Sequence, residues 1–248
     1  MSRFSKAASK GRVPLERALS KLGLASRTEA RRLIEEGSVK VHGSIERDPL
    51  REVNPGSAHI EIQGKKARKE TTRIVLFHKP KGVVTTKRDP DGRKTIYDLL
   101  PPELQSFHPV GRLDMHTTGL LLLTNDTRLS SWLTDPANVV PRSYVVTVRG
   151  EVSPDTLAKM EAGVDDCGET LSISRGEIQK SSGKESRLLL ELKEGKNREI
   201  RRLCKALGHE VTALKRIRFG EWDLGSLQPG EWCEAHEPRG IPRAGESG

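Results

Sequence analysis

The 248-residue sequence has no long apolar run, and aromatic residues make up only 4% of it. No stretch approaches the roughly 20 consecutive apolar residues of a membrane-spanning helix. The basic N-terminus, MSRFSKAASKGR, lacks the apolar segment of a secretory signal. These absences predict a soluble, cytoplasmic protein that does not act at a membrane.

The sequence also lacks the usual patterns of disulfide, metal and nucleotide sites. Its three cysteines are widely spaced and form no CxxC pair, which predicts neither a disulfide framework nor a structural zinc site. His78, His108 and His116 could bind a metal only by chance convergence, so no metal is expected. A glycine-rich phosphate loop and a GxSxG elbow are both missing, which argues against a dinucleotide-binding fold and a serine hydrolase.

Positive charge is abundant and unevenly distributed along the chain. Residues 1–73 hold 17 Lys and Arg against 9 Asp and Glu, whereas residues 74–248 hold 26 against 25. A second, local excess lies between Lys193 and Arg218, with 9 basic residues against 3 acidic ones. This distribution suits a polyanionic partner such as a nucleic acid, although a solvated cationic surface is the alternative.

Changes in composition and the position of a polar linker divide the chain into four segments. We predict a basic flexible arm over 1–12, a small helix-and-strand module over 13–70, a larger domain over 71–236 and a disordered tail over 237–248. The polar run RKETT, residues 68–72, is the expected linker. Strands and helices alternate irregularly in the larger domain, which favours an α+β fold with a mixed, mainly antiparallel sheet flanked by helices.

Helix signals are clear in the small module. Pro14 suits the first turn of a helix, Gly23 suits its end, and Ser26 with Glu29 forms a predicted capping box for a second helix. Short strands are expected on either side of a turn at His42 and Gly43.

The larger domain shows apolar runs and alternations typical of strands. Strands are predicted over 73–77, 83–86, 120–123, 144–148, 188–192 and 211–218, and helices over 127–133, 154–162 and 197–207. The strand over 211–218 is predicted from the alternation of Val211, Ala213, Lys215 and Ile217. Asn197 is taken as the cap of the last helix.

The segment GRLDMHTTG, residues 111–119, is the densest candidate for chemistry. Asp114 lies between a turn and a buried strand, where a carboxylate is held rigidly enough to serve as a nucleophile or base. A lone aspartate in such a place more often satisfies the amides of a turn. Spacing alone leaves both interpretations open.

A second candidate is the segment EGKNREIRRL, residues 194–203. On the predicted helix, Arg198, Arg201, Arg202 and Lys205 recur at steps of three and four residues, so an RNA phosphate or a buried carboxylate would relieve their repulsion. A solvated helix face is the alternative. Tyr144 by itself indicates only half-buried packing in a strand.

Taken together, these segments resemble a known family. GRLDMHTTGLLLLTND, RSYVVTVRG and EGKNREIRRLCKALGHEVTALKRIRFGEWDLGSLQPGEW, in this order, resemble the RsuA/RluB family of ribosomal RNA pseudouridine synthases. ERALSKLGLASRTEARRLIEEGSVKVHG resembles the S4 RNA-binding domain that many of these enzymes carry. The resemblance runs from about Pro14 to Trp232 and implies an S4-type domain followed by a synthase domain.

The resemblance also implies roles for individual residues. Asp114 corresponds to the catalytic aspartate, Tyr144 to a tyrosine that stacks near the target base and moves a proton, and Arg201 to the basic partner of the aspartate. Arg112 corresponds to a motif arginine that contacts RNA or helps to flip the base. The further RNA-binding candidates are Arg198, Arg202, Lys205, Arg27, Arg31, Arg32 and Lys40.

Three positions depart from the family pattern without touching the implied chemistry. Thr118 stands where the family often has Ser, His116 where an acidic residue or Asn is common, and His42 where the S4 pattern more often has Asn. These departures put substrate detail in doubt.

The implied reaction converts one uridine of ribosomal RNA to pseudouridine without any cofactor, after the nucleotide is flipped out of its helix. The segment GEWDLGSLQPGEW favours large-subunit (23S) over small-subunit (16S) RNA as the partner, and the enzyme is expected to act as a monomer. Two alternatives belong to other classes. One is a non-catalytic RNA-binding or ribosome-assembly protein, and the other is a DNA-binding protein, which the lack of a helix-turn-helix pair disfavours.

Overall fold

The computed structural model describes residues 11–22, 24–63, 65–66 and 71–236, and the chain divides into two compact units. The first unit extends to Thr72 and includes Asn125–Arg128, and the second comprises Arg73–Thr124 together with the chain from Leu129 onward. The predicted basic arm over 1–12, except Gly11 and Arg12, and the predicted tail over 237–248 lie outside the described residues. So do the predicted helix stop at Gly23 and the start of the predicted linker.

The first unit combines two helices with short strands. Its helices and strands are α1 (Leu15–Lys21), α2 (Arg27–Glu35), β1 (Val13–Pro14), β2 (Val39–Val41), β3 (Ser44–Glu46), β4 (Glu52–Val53), β5 (Ile60–Ile62) and β6 (Lys65–Lys66). Strand β1 pairs with β4, and the other four form an antiparallel sheet in the order β3-β2-β5-β6. Apolar residues of both helices, among them Leu19 and Ile34, pack on Val39, Val41 and Ile60 to make one core.

Local sequence explains the turns of this unit. Ser26 accepts a hydrogen bond from the Glu29 backbone N–H at 3.2 Å, which is half of the predicted capping box. Glu29 itself forms an ion pair with Arg32. The β2–β3 turn is at His42 and Gly43, as predicted, and His42 has φ 50°, a left-handed conformation that Asn adopts more readily.

The described part of the second unit contains eleven strands, and nine of them form one sheet. Its strands are β7 (Ile74–Lys79), β8 (His108–Pro109), β9 (Thr118–Thr124), β10 (Arg142–Arg149), β11 (Val164–Asp166), β12 (Glu169–Leu171), β13 (Arg175–Ser181), β14 (Glu185–Leu192), β15 (Val211–Phe219), β16 (Trp222–Asp223) and β17 (Trp232–Ala235). The helices that follow Arg73 are α3 (Thr127–Thr134), α4 (Pro154–Ala162) and α5 (Glu199–Ala206), with 3-10 turns at Ile96–Asp98, Pro102–Leu104 and Pro136–Asn138. Strands β11 and β12 form a separate hairpin.

The main sheet has the order β13-β14-β10-β15-β9-β7-β17, with β16 on β15 and β8 on β9. Every pair is antiparallel except β9 with β15, so the sheet is mixed and mainly antiparallel, as predicted. Residues 119–124 of β9 are all buried, because both faces of this central strand are covered. That double burial explains the continuous apolar run Leu120–Leu123.

The parallel pair depends on one glycine. Gly119 has φ 105°, and a Cβ built there would overlap the carbonyl oxygen of Arg216 and lie 2.7 Å from its backbone nitrogen. Only a residue without a side chain lets β9 and β15 approach this closely.

Several predicted elements differ in the structure. Residues 83–86 do not form a strand and contribute only an isolated bridge between Val84 and Thr95. Helix α5 begins at Glu199, not after an Asn197 cap, because Arg198 at its N-terminus has φ 48° and a left-handed conformation. Strand β15 is observed where it was predicted, but its buried residues are Leu214, Arg216 and Phe219 and not the alternating set from which the strand was predicted. No helix in the described ranges is long and apolar enough to span a bilayer.

Candidate active site

Asp114 lies in the loop that leads from β8 into β9. The loop closes as a turn, in which the Thr117 N–H donates to the Asp114 carbonyl oxygen at 3.0 Å. Leu113, just before it, is fixed at both ends by Thr85: the Thr85 hydroxyl donates to the Leu113 carbonyl at 2.8 Å and accepts from its N–H at 3.3 Å. The Asp114 side chain is exposed and lines a cavity.

Lys79 hydrogen-bonds to the backbone of this loop, a role that sequence reasoning missed. Its side chain is fully buried, and Nζ donates to the carbonyl oxygens of Thr117 at 2.9 Å and Pro80 at 3.0 Å, with that of Met115 at 3.5 Å. Burial lowers the pKa of Lys79 to about 8, and attraction to Asp114 opposes that shift. The buried ammonium therefore orients the backbone that follows Asp114, at Met115 and Thr117. In the sequence, Lys79 stood out only as the first residue of the KPKG turn.

The cavity beside Asp114 has a volume of about 590 Å³. Its walls come from the Asp114 loop, the end of α3, one face of β10 and β15, and the segment that enters α5. The residues that line it are Val110, Gly111, Arg112, Leu113, Asp114, Thr117, Thr134, Pro136, Arg142, Tyr144, Leu192, Glu194, Gly195, Lys196, Asn197, Arg198, Glu199, Ile200, Leu214, Arg216 and Phe219. A second cavity of about 320 Å³, lined by residues of the 84–93 loop, shares Arg112, Leu113 and Asp114 with it.

Tyr144 lies on β10 and lines the same cavity as Asp114. It is half-buried and is directly opposite Leu190 on one neighbouring strand and Arg216 on the other. Its ring packs against two of the apolar clusters of the unit. Ordinary strand packing therefore fixes the position of Tyr144 and keeps its ring at the cavity.

Arg201 approaches Asp114 from α5. Its guanidinium donates to the carbonyl oxygens of Val211 at 3.2 Å and His116 at 3.3 Å, and His116 is two residues beyond Asp114. Burial lowers the pKa of Arg201, while attraction to Asp114 raises it. The described structure contains no ion pair within 4.0 Å between Arg201 and Asp114, so the two charges attract without direct contact.

The other cationic candidates fall into two groups. Arg112 and Arg198 line the cavity with exposed side chains, and Lys205 is exposed on α5. Arg202 instead forms ion pairs with Asp166 at 2.6 Å and Glu169 at 2.7 Å. Two carboxylates of the β11–β12 hairpin therefore relieve the repulsion on this helix at Arg202.

The cations of the first unit divide in the same way. Arg31 forms an ion pair with Glu16 at 2.8 Å, and Arg32 is bound by Glu29 and Glu36. Arg27 and Lys40 are exposed. These two therefore carry the least compensated charge among the candidates in this unit.

The comparisons with known proteins bear on the whole chain. A family model described as RNA pseudouridylate synthase matches residues 73–206, more than half of the sequence. The chain belongs to this family. A second model, described as the S4 domain, matches residues 13–58 of the synthase. The synthase is therefore an enzyme that converts uridine in RNA to pseudouridine, as the sequence motifs implied.

Relatives of the synthase match nearly its full length. An uncharacterized RNA pseudouridine synthase of Aquifex aeolicus is 37% identical over 91% of each chain. A protein of Bacillus subtilis named ribosomal large subunit pseudouridine synthase B is 34% identical over 94% of this chain and 97% of its own. A crystal structure of a pseudouridylate synthase superposes with a TM-score of 0.62 at 26% identity, covering 90% of this chain and 96% of that one.

Three buried charged residues of the cavity were not singled out from the sequence of the synthase. Glu199 accepts a hydrogen bond from the Lys196 N–H at 3.1 Å through Oε2, and its Oε1 is buried without a partner. Arg142 and Arg216 are also buried in the cavity wall. No role was assigned from the sequence to Glu199, Arg142 or Arg216.

The arrangement of side chains of the types that bind metals also bears on the chemistry of this cavity. In the part of the chain that the structure describes, no three His, Cys, Asp or Glu side chains are grouped so as to hold a metal ion. His78 is buried, with Nδ1 2.7 Å from the carbonyl oxygen of Leu227. The side chains that line the cavity include three carboxyl groups, one phenol, one amine and several guanidinium groups.

Glu199 predicts an unusual dependence of stability on pH. Burial, helped by neighbouring Glu194, raises the pKa of Glu199 to about 7. The folded state therefore keeps a proton that the unfolded state releases near its ordinary pKa of 4.5, so this stabilisation is full at low pH and is lost as the pH rises towards 7. Because Glu199→Gln mimics the protonated form, we expect the variant to exceed wild type at pH 8 by on the order of 3 kcal/mol in free energy of unfolding.

Urea unfolding of both proteins at pH 5, 6, 7 and 8 measures this difference. Glu177→Gln, at an exposed position on β13, is the matched control and should follow the wild-type profile. Parallel pH profiles for Glu199→Gln and wild type would contradict the prediction.

Proposed function

We propose that this synthase isomerises a specific uridine of large-subunit (23S) ribosomal RNA, with Asp114 as nucleophile, Tyr144 as the proton-transfer group and Arg201 as the residue that holds Asp114 ionised. The observation that carries the proposal is that Asp114 and Tyr144 line one cavity, while Arg201 binds the backbone two residues beyond Asp114. The choice of RNA is supported by the B. subtilis relative, whose name specifies the large ribosomal subunit.

The proposed chemistry needs only the groups at this cavity. The N1–C1′ bond of the uridine breaks, the uracil turns, and a new bond joins C5 to C1′. A carboxylate must be ionised to act as a nucleophile in this sequence, and a guanidinium nearby favours the ionised form. The overall change is an isomerisation, so no oxidant, reductant or cofactor takes part.

Arg112 and Arg198 are proposed to contact the RNA at the cavity mouth, because both side chains are exposed there. Extruding a uridine from a folded RNA costs a few kcal/mol. Contacts to the flanking phosphates offset that cost. Lys205 extends the same basic surface along α5. We place the reaction in the cytoplasm, where ribosomal RNA is made in bacteria, and assign it to a monomer.

Mapping pseudouridine in 23S and 16S RNA of a strain that lacks the gene tests the choice of RNA. Carbodiimide treatment followed by primer extension should reveal the loss of one modified position in 23S RNA, restored by the wild-type gene. Loss of a position in 16S RNA, or of none, would overturn the proposal.

The first unit is proposed to bind RNA phosphates through its uncompensated cations. We expect Arg27→Gln combined with Lys40→Gln to weaken binding of the 23S fragment and to lower the slope of log K against log salt by about 1 to 2. Arg32→Gln should change neither quantity appreciably, because Glu29 and Glu36 already neutralise Arg32. Filter binding at several salt concentrations measures the slopes. An equal effect of Arg32→Gln would exclude Arg27 and Lys40 as the selective contacts.

A further inference from the structure

Two guanidinium groups are buried in the cavity wall without a carboxylate partner. Arg142 is 5% exposed and Arg216 is 3% exposed. In the described ranges neither forms an ion pair within 4.0 Å, and their hydrogen bonds go to backbone carbonyls. Burying an uncompensated charge is costly, and such charges in proteins are normally paired. The two cations thus need an explanation beyond packing.

Strand geometry gathers these cations around Tyr144. Arg216 is directly opposite Tyr144 in the β10–β15 register, and Arg142 precedes Tyr144 by two residues on the same strand. Side chains at such positions share one face of a sheet. Both guanidinium carbons lie over the ring of Phe219, at 4.7 Å and 4.9 Å from its centre. The result is a cationic floor of Arg142 and Arg216 beneath the cavity.

The hydrogen bonding of this floor is incomplete. Arg142 donates to the carbonyl oxygens of Val140 at 3.1 Å, Lys193 at 3.3 Å and Leu133 at 3.0 Å. Arg216 donates through Nε to the Leu120 carbonyl at 2.7 Å, but its Nη2 is buried without any partner. A buried charged donor that makes no hydrogen bond is costly. Arg216 therefore lines the cavity with a guanidinium group whose hydrogen bonding the protein does not complete.

A buried carboxyl of the same cavity compensates this charge only in part. Glu199 lines the cavity and attracts Arg142, and burial together with Glu194 raises the pKa of Glu199 to about 7. Near neutral pH a large fraction of Glu199 is therefore uncharged. Asp114 is exposed, and Lys79 and Arg201 already attract it.

The proposed reaction generates a negative charge that such a floor would stabilise. When the N1–C1′ bond breaks, its electron pair leaves with the base and spreads over N1, O2 and O4, so the detached uracil is an anion until C5 attacks C1′. The C5 proton is then released and N1 gains one, so atoms and charge balance without any proton from arginine. Fixed donors in a closed cavity stabilise developing charge far better than water does.

We propose that Arg142 and Arg216 stabilise the uracil anion released on glycosidic cleavage, with the guanidinium of Arg216, which lines the cavity, as the donor to an oxygen of the base. This inference rests on the function proposed above and assigns a catalytic role to Arg216. Arg142, whose donors are occupied by carbonyls, acts through its charge as a positioning residue for Arg216 and Phe219.

Changing the stability of the leaving base tests this role. Fluorine at C5 withdraws electrons and stabilises the uracil anion, so 5-fluorouridine needs less help to leave. In single-turnover reactions at saturating enzyme, we expect Arg216→Gln to slow loss of the N1-linked nucleoside about 100-fold with a uridine RNA fragment. With the same fragment carrying 5-fluorouridine at the target, the loss should be about 10-fold or less. RNA affinity by filter binding should stay within about threefold of wild type.

Controls separate this role from structure and from RNA binding. Arg149→Gln, at the exposed end of β10, should behave as wild type with both substrates. If Arg216→Gln is unfolded by circular dichroism, Arg216→Lys provides the comparison, with a loss of about 10-fold for uridine that vanishes for 5-fluorouridine. An equal slowing of the reaction with both substrates would overturn the proposal, because a packing defect would affect uridine and 5-fluorouridine alike.

Two further outcomes are informative. Weakened RNA affinity with an unchanged saturating rate would overturn the inference in favour of a phosphate contact by Arg216. A wild-type enzyme that forms no pseudouridine in 23S or 16S RNA would contradict the proposed function itself. Normal wild-type turnover with equal defects on both substrates would sink only the role of the two arginines.

Discussion

Replacing Asp114 with Asn abolishes pseudouridine formation, with a rate loss of at least about 10⁴-fold, while RNA affinity stays unchanged. Asparagine keeps the size of the side chain and removes its negative charge, so it cannot act as a nucleophile. Losses of this size follow removal of the reacting group in other enzymes that use a covalent nucleophile. The loop itself should persist, because the turn is closed by backbone groups, from the Thr117 N–H to the Asp114 carbonyl.

The measurement is a single-turnover assay of pseudouridine in the mapped RNA fragment, together with filter binding of the same fragment. Mass spectrometry of the variant protein is essential, since deamidation of the new asparagine would regenerate the carboxylate. Asp155→Asn, in the first turn of α4, is the matched control and should retain full activity. Wild-type turnover by an intact Asp114→Asn sample would remove Asp114 from the mechanism.

Gly119→Ala should destabilise the protein by at least about 3 kcal/mol and remove its activity. The methyl group would overlap the Arg216 carbonyl oxygen, so β9 and β15 would have to separate where Gly119 pairs with Arg216. The left-handed backbone at φ 105° adds strain for any residue with a Cβ. Overpacking and backbone strain each cost about 1–3 kcal/mol, and both apply here.

Gly150→Ala distinguishes these two contributions. Gly150 also has positive φ, at 78°, but a Cβ there meets nothing within 4 Å. We expect it to lose only about 1 kcal/mol in urea unfolding and to keep its activity. Equal losses in the two variants would show that the close approach of β9 and β15 contributes nothing.

The sequence predicted the elements whose signals are local. The apolar run Leu120–Leu123, the alternation after Tyr144 and the Ser153 cap all correspond to observed elements, because each reflects burial or capping within a few residues. Family resemblance, and not spacing, singled out Asp114 among aspartates that close turns. The structure adds that Asp114 faces a cavity together with Tyr144.

What the sequence could not predict depends on partners far along the chain. The carboxylates that neutralise Arg202 come from a hairpin more than 30 residues earlier. Helix α5 begins one residue later than it would after a cap at Asn197, because Arg198 is left-handed, and no local rule requires a left-handed arginine. The burial of Arg216 on β15 was not predicted, because the alternation in this strand gives no reason to bury a charged residue.

The parallel pairing of β9 with β15 also sets the order in which the cavity can form. Thr118 and Gly119 pair with Lys215 and Arg216, almost one hundred residues later in the chain. Contacts of such long sequence separation form late, because a large loop must close first. During synthesis the chain therefore carries Asp114 for many seconds before the wall that contains Arg216 has been made. A nascent or truncated polypeptide holds Asp114, the proposed nucleophile, without its cavity, so we expect it to leave the ribosomal RNA of the particle that is making it unmodified.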